Sequence, residues 1–330
     1  MRPSTPTAAL FALLMAACAA APPAPWNSVD AGVVAGLSEG DHAASAYGDG
    51  RLPAADLRRA DVLTVARRSP SGWSTSSIEV SNSVTAAPEV LALSPDGRMA
   101  FVVERLGPRP AGATLARELA PGRRLRAVDL TLVPTRLAGS VDTGLFPEAL
   151  AVSPTGETVA VVSNDTTAAW LHLVDWHDGR FGAVRSFRLD SLGIVGSATA
   201  PRGGVTATNV QWHPSGRFLS VNLNTADQVA FLELPVGEGA PQLWGLPVST
   251  GKDPFVGRFT PDGRHYLTSD WGRRFEATSL EGRLPRHPSS VSVIRLGDPS
   301  AGRPAPPRGG GRASPRPASP GLGGGAGGRW

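Results

Sequence analysis

The stretch PEALAVSPTGE at residues 147–157 decides the fold. Its apolar first half ends in Ser153-Pro154, where proline presets φ for a turn and cannot continue a hydrogen-bonded ladder. Gly156 can then take the positive φ that reverses the chain. A second apolar run, TVAVV at residues 158–162, follows at once. The stretch therefore predicts a tight β-hairpin.

The same hairpin signature recurs at residues 88–98, 208–217 and 253–264. Its prolines are 59, 60 and 47 residues apart, and one more strand-like run follows each hairpin. This spacing suits units of about four short strands with their loops. Because one such sheet cannot bury both faces alone, the units must stack around an axis. The predicted fold is all-β, a β-propeller of four-stranded blades.

The repeated pattern Pro-Glu-x-x-Ala-x-Ser-Pro-x-Gly resembles that of the YVTN-repeat or lactonase-like β-propellers, which are WD40-like in architecture. The resemblance covers roughly residues 60–297. It implies a propeller that usually has seven blades, and it implies lactone hydrolysis with a bound metal in some members. The motif identifies the blade hairpin and not an activity.

Four segments follow from these patterns. They are a signal or lipobox segment at 1–21, a lead-in at 22–60, the blades at 61–298, and a tail at 299–330. The alternative for the lead-in is that it belongs to the first blade. The tail is rich in Gly, Pro and Arg and nearly free of apolar residues, so we expect it to be disordered.

About five blades can be counted, and the last lacks an outer strand in the sequence pattern. Either the propeller is small, or it is a truncated seven-bladed one. A one-base shift of the codons for residues 321–329 permits another copy of the blade motif, so the tail is either a frameshift product or a natural flexible end.

The N-terminus predicts export. The apolar run at residues 8–17 follows Arg2 and is shorter than the ~20 residues of a membrane span. Cys18, the only cysteine, follows this run in a pattern that resembles the bacterial lipobox. The alternative is ordinary cleavage near residues 19–21. We expect a periplasmic or cell-surface protein that meets the membrane only through a lipid on Cys18.

The net charge of +4 does not indicate nucleic-acid binding. Five arginines lie within residues 301–330, which contain no acidic residue, so residues 1–300 carry a net charge of −1. A body without an excess of positive charge has no field that would steer it toward phosphates.

Candidate ligand or cation residues recur near the ends of the first two strands of each blade. They are expected at the channel mouth, where their oxygens would suit a hard cation such as calcium. The alternative is that they cap strands and accept hydrogen bonds in turns. The set comprises Glu104, Asn164, Asn224 and Asp270 after the second strand, and Glu89, Glu148, Asn209 and Asp253 before the first.

No catalytic constellation stands out in the sequence. His172 and His213 lie in strand patterns, where we expect them to pack or to bond locally. The favoured function is a non-enzymatic binding or scaffold module that engages a protein or small-molecule partner. The alternatives are a lactonase-type hydrolase of a sugar lactone and a fragment without function.

Overall fold

The computed structural model describes residues 30–38, 50–54, 61–80, 89–196, 205–237, 239–275 and 288–297, with 282, 284–285 and 312–313. These residues form five antiparallel sheets arranged as successive propeller blades. The all-β propeller predicted from the repeats is confirmed. No helix in this part of the chain has the length and apolar character needed to cross a membrane.

The strands follow one another in chain order within each blade. Blade 1 consists of β1 (Val33–Ser38), β2 (Val62–Ser69) and β3 (Gly72–Glu79). Blade 2 consists of β4 (Leu91–Leu93), β5 (Met99–Val103), β6 (Arg124–Asp129) and β7 (Arg136–Asp142). Blade 3 consists of β8 (Pro147–Val152), β9 (Thr158–Asn164), β10 (Ala169–His177) and β11 (Arg180–Arg188).

Blades 4 and 5 complete the described part. Blade 4 consists of β12 (Ala207–Trp212), β13 (Phe218–Leu223) and β14 (Gln228–Glu233), with β15 (Gln242–Leu243) and β16 (Val248–Ser249) both pairing with β14. Blade 5 consists of β17 (Pro254–Phe259), β18 (His265–Asp270), β19 (Ser290–Arg295) and β20 (Arg312–Ala313).

The repeated motif forms the hairpin between the first and second strands of blades 2 to 5. In blade 2 the Ser94 amide donates to the Met99 carbonyl at 2.9 Å, and the Met99 amide donates to Ser94 Oγ at 2.9 Å. Gly97 has a φ of 68°, in the left-handed region that favours glycine. The serine, proline and glycine of the motif therefore build the turn as predicted.

Apolar side chains from neighbouring blades interdigitate into four successive core clusters. Blades 1 and 2 share one cluster, blades 2 and 3 the next, and the series continues to blades 4 and 5. All six residues of β13 are buried because both faces of blade 4 are covered. The five sheets do not close into a ring, and among the described residues no core cluster joins blade 1 to blade 5.

Two strands come from the segments that flank the predicted blades, namely the lead-in, for which the sequence left membership of the first blade open, and the tail. β1 lies within the lead-in at 22–60 and pairs in register with β2. β20, from the tail at 299–330, pairs with β19 and supplies the outer strand of blade 5 that the sequence pattern lacked. The signal segment at 1–21 and the rest of the tail lie outside the described residues, as does the codon range of the proposed frameshift.

Candidate functional site

The four predicted positions after the second strand are not equivalent along that strand. Glu104 and Asp270 come seven residues after the turn glycine, whereas Asn164 and Asn224 come eight residues after it. Because successive side chains of a strand point to opposite faces, the two pairs point in different directions. These four side chains therefore do not form one ring.

Each of these four side chains has a partner of its own. Arg126 Nη2 donates to Glu104 Oε2 at 3.0 Å. Asn164 bridges two blades, since its Nδ2 donates to the Ala207 carbonyl at 2.8 Å and its Oδ1 accepts from the Ala207 amide at 2.9 Å. Asn224 and Asp270 have hydroxyl partners.

These hydroxyl contacts each lie within a single blade. Asn224 Oδ1 accepts from Thr206 Oγ1 within blade 4. Asp270 Oδ2 accepts from Ser290 Oγ at 3.0 Å and from Ser292 Oγ at 2.7 Å. All four side chains thus hold strand ends together, which agrees with the alternative of capping that the sequence left open.

The predicted positions before the first strand divide in the same way. Glu89 and Glu148 are equivalent, each two residues before the leucine that pairs with a valine of the second strand. Asn209 and Asp253 stand at other distances from the corresponding pairs. Glu148 pairs with Arg105, while Asp253, fully buried, accepts from Arg273 Nε at 2.7 Å and Nη2 at 3.0 Å.

These residues do not build a shared cation site. Within the described ranges, no three His, Cys, Asp or Glu side chains are placed to hold one metal ion together. Four of the five candidate carboxylates pair instead with arginines, so a cation would have to displace a guanidinium at each of them. Calcium binding stays a prediction from the sequence that this geometry does not favour.

The first strands of blades 2 to 5 line a pocket of about 400 Å³, which we call the axial pocket. These four strands contribute one residue each at the same position of the repeat, three residues before the motif proline. The residues are Ala92, Ala151, Gln211 and Arg258. Blades 2 and 3 thus supply the alanine of the repeat at this position, while blades 4 and 5 supply an amide and a guanidinium. At this position of the repeat, the polar side chains therefore come from blades 4 and 5 alone.

Glu89, from blade 2, contacts the polar side chains of blades 4 and 5. Its Oε1 pairs with Arg258 Nη2, and its Oε2 accepts from Asn209 Nδ2 at 2.9 Å and from Gln211 Nε2. The Glu89 side chain is 9% exposed, whereas that of Arg258 is 58% exposed. The carboxylate is therefore held in place by three donors, and Arg258 Nη1 also donates to the Gly257 carbonyl at 3.1 Å.

A buried network supports this arrangement from blade 5. Tyr266 is fully buried, and its hydroxyl donates to Asn222 Oδ1 at 2.7 Å. Burial raises the pKa of the Tyr266 phenol above its usual value, so the hydroxyl stays protonated. Asn222 Nδ2 donates in turn to Thr268 Oγ1 at 2.8 Å. Asn209, which orients Glu89, also accepts the Gly257 amide at 3.3 Å.

His172 bonds within its own blade, as predicted, whereas His213 also bonds to a carbonyl of the neighbouring blade. His172 Nε2 lies 2.8 Å from Ser163 Oγ and His172 Nδ1 lies 2.8 Å from Ser186 Oγ. Burial lowers the pKa of His172 to about 4. His213 Nε2 lies 2.9 Å from the Gly263 carbonyl oxygen, and burial lowers its pKa as well. Neither ring lines the axial pocket.

Gln211 and Arg258 are functional candidates that the sequence reasoning missed. Both stand where the repeat has alanine, in VQWHP and GRFTP rather than LALSP and LAVSP. Alanine at that position leaves room between the blades. A long polar side chain in its place is therefore a feature of the sequence that indicates a binding residue. The site residues predicted from the sequence recur in the blades, whereas Gln211 and Arg258 do not.

Comparisons with known proteins support the fold and go no further. The sequence matches no protein-family model and no curated protein. The structure is similar to a functionally unknown protein from Desulfotomaculum acetoxidans DSM 771, with a TM-score of 0.51, 13% identity, and coverage of 76% of this chain and 62% of that chain. It is also similar to a protein from Lactobacillus plantarum, with a TM-score of 0.50, 13% identity, and coverage of 74% of this chain and 63% of that one.

A periplasmic gluconolactonase from Pseudomonas aeruginosa is a more distant structural neighbour. Its TM-score is 0.46 at 17% identity, with coverage of 86% of this chain and 81% of that chain. The chain spans less than two thirds of the length of the first two structures. At these identities the similarity shows the fold alone.

Proposed function

We propose that the protein is a ligand-binding β-propeller of the bacterial cell envelope and that its ligand occupies the axial pocket. The observation that carries the proposal is the replacement of the repeat's alanine by Gln211 and Arg258 in blades 4 and 5. Sites for small molecules are concave and mostly apolar, with a few placed polar groups. On the repeat pattern, we further infer membership of the lactonase-like YVTN propellers.

Binding fits the pocket better than hydrolysis does. Among the residues that line it, the ionisable groups are Glu89 and Arg258, which pair with each other. A general base needs a lone pair that is free to take a proton from water or substrate. The oxygens of Glu89 already accept from three donors, so the carboxylate is poorly placed for that role.

A pocket-filling variant tests the proposal. Ala151→Trp would place an indole in the axial space, whereas Leu246→Trp would add one at a position that is 82% exposed. We expect compounds from a small-metabolite library that raise the Tm of the wild type to act equally on L246W and not on A151W. If ligands stabilise A151W as well as the wild type, the axial pocket is not the site.

The lactonase alternative is tested separately by measuring turnover of a sugar-lactone panel with and without EDTA. We expect no turnover. Hydrolysis that EDTA abolishes, and that is lost in Glu104→Gln or Asp270→Asn, would contradict the binding proposal. Aggregation of the purified chain together with a failed ligand screen would favour a fragment without function.

We propose that the protein is exported and anchored through a lipid on Cys18. The support is the short apolar run and the position of the only cysteine. Labelled palmitate supplied to a bacterial host should enter the wild type and not Cys18→Ser, which should appear in the soluble periplasmic fraction. Equal labelling of both proteins would refute the anchor, and cytoplasmic protein would refute export.

A further inference from the structure

Blade 5 has one face that the core of the described residues leaves uncovered. Successive side chains of a strand point to opposite faces, and along β18 and β19 Tyr266 and Ile294 point into the core shared with blade 4. On the other face, Leu267 is 37% and Val291 is 42% exposed, and Val293 pairs with Leu267 in the ladder. None of the core clusters of the described residues includes these three side chains. We call this apolar surface the blade 5 face.

The free face of blade 1, at the other end of the series of sheets, has a different character. Leu63 and Val65 point toward blade 2 and pack in the shared core. The opposite face carries Thr64 and Ser77, whose hydroxyl oxygens lie 2.9 Å apart, and the exposed Glu79. Polar side chains of this kind are stable in contact with water. The blade 1 face therefore needs no cover, and it offers the blade 5 face of another copy a poor apolar complement.

The blade 5 face can instead pack against its own counterpart in a second copy. When the same surface of two copies meets, the contact is two-fold symmetric and closed, whereas a head-to-tail contact continues into a ring or a filament. Leu267 and Val293 are paired on adjacent strands in the middle of the sheet, so they lie close to the two-fold axis of such a dimer. Two apolar faces packed together remove each other's side chains from water.

The charges on this face determine the relative direction of the two copies. By the strand register, Arg258, His265 and Arg295 share the face with the apolar side chains, and no acidic residue of β17, β18 or β19 does. Arg295 lies four residues from Val291 along β19, which is roughly 13 Å. Strands that run in the same direction would bring the two Arg295 side chains together. Strands in opposite directions separate them by more than the Debye length of about 8 Å at physiological ionic strength.

The size of the blade 5 face makes this contact a weak one. Its three long strands have six residues each, and they cover about 14 by 20 Å, or roughly 300 Å² per copy. Stable interfaces bury about 800 Å² per partner. The contact is therefore of the transient class, and it requires a high protein concentration.

We propose that two copies of this chain associate through their blade 5 faces, with the strands of the two sheets in opposite directions across a two-fold axis. Sedimentation velocity of the full chain from about 1 µM to about 1 mM should show a dimer at the upper end. Leu267→Lys should raise the dissociation constant about tenfold or more, because it places an unpaired ammonium group in the interface. Val291→Lys should act in the same way, and it guards against a folding defect in one variant. Leu137→Lys is the matched control, since Leu137 is 43% exposed on β7, and it should dimerise as the wild type does.

Cross-linking tests which surfaces meet. Cys18 is the only cysteine of the chain, so Val293→Cys in a Cys18→Ser background carries a single thiol. A short bismaleimide should link two copies of this variant. It should not link this variant to Ala66→Cys in the same background, which carries its thiol on the free face of blade 1. Links between these two variants without links between copies of Val293→Cys would show head-to-tail association and overturn the inference. A monomer at every concentration, or a wild-type dissociation constant in Leu267→Lys and Val291→Lys, would overturn it as well.

Discussion

Substituting alanine for the turn glycines offers a graded test of how the blade hairpins pack. Gly97 and Gly263 occupy the same position of the repeat, with φ values of 68° and 69°. A Cβ on Gly97 meets no atom within 4 Å, whereas a Cβ on Gly263 overlaps the Nε2 of His213 and lies 2.6 Å from its Cε1. Backbone strain is therefore common to both variants, and the steric overlap belongs to Gly263→Ala alone.

The shared strain of alanine at positive φ is about 1–2 kcal/mol, and the lower entropy of the unfolded chain returns about 0.4–1 kcal/mol. At Gly263 the His213 ring cannot retreat, since it is 2% exposed and packs edge-on against Phe218 and Phe259 at 5.7 and 5.1 Å. Overpacking adds about 1–3 kcal/mol, and loss of the hydrogen bond to the buried ring adds about 1–3 kcal/mol.

We therefore expect Gly97→Ala to lower the free energy of unfolding by about 1 kcal/mol and Gly263→Ala by about 3 kcal/mol or more. Urea unfolding followed by tryptophan fluorescence measures both. Gly156→Ala should lie between them, because its Cβ would be 3.2 Å from Pro95 Cδ.

A second substitution isolates the overlap. His213→Ser restores the serine that blades 2 and 3 carry at this position. In that background, Gly263→Ala should cost no more than Gly97→Ala costs in the wild type. Equal losses for the two glycine variants in the wild type, or an unchanged loss in the His213→Ser background, would refute the reasoning.

Two further perturbations test the buried ionisable groups. Because burial lowers the pKa of His172 to about 4, from 6.5 in the unfolded chain, the unfolded state binds more protons between these values. The free energy of unfolding should then fall, by up to about 3 kcal/mol, as the pH drops from 6.5 to 4. Urea titrations of the wild type and His172→Gln at both pH values should show a smaller dependence in the variant, and identical profiles would contradict this. Arg273→Ala should cost about 3–5 kcal/mol because it leaves the fully buried Asp253 without its cation. Arg217→Ala, which breaks an exposed pair, should cost under about 1 kcal/mol by the same measurement, and similar losses for the two would be inconsistent with a buried ion pair at Asp253.

The blades were predictable because their hairpins follow local rules. A proline that ends one strand and a glycine at positive φ determine the turn wherever the surrounding chain lies, so four copies could be read from residues 88–264. β20 was not predictable, since two residues in a Gly- and Pro-rich tail carry no strand pattern of their own. Their pairing with β19 depends on an edge that exists only in the folded blade.

The candidate site was harder to predict because its geometry depends on a shift of one residue. Glu104 and Asn164 look alike in the sequence, each a polar residue just after a strand, but they differ by one position from the turn glycine. One position reverses the direction of a strand side chain. Sequence reasoning aligned these residues by chemical type, whereas their directions depend on their count along the strand.

The position of the pocket's polar groups leads to a general argument about repeats of this kind. A residue that all blades share has a role that all blades share, such as building a turn, and Gly97 and Gly263 play that role with nearly equal φ values. A ligand, by contrast, meets each blade at a different angle and requires something different from each. Its site should therefore lie where blades differ at an axial position, as Ala92 and Ala151 differ from Gln211 and Arg258. Replacing Gln211 and Arg258 together by alanine would restore the repeat and keep every turn. We expect this double variant to lose binding. Its free energy of unfolding should fall only by the contribution of the contacts that the two side chains make with Glu89.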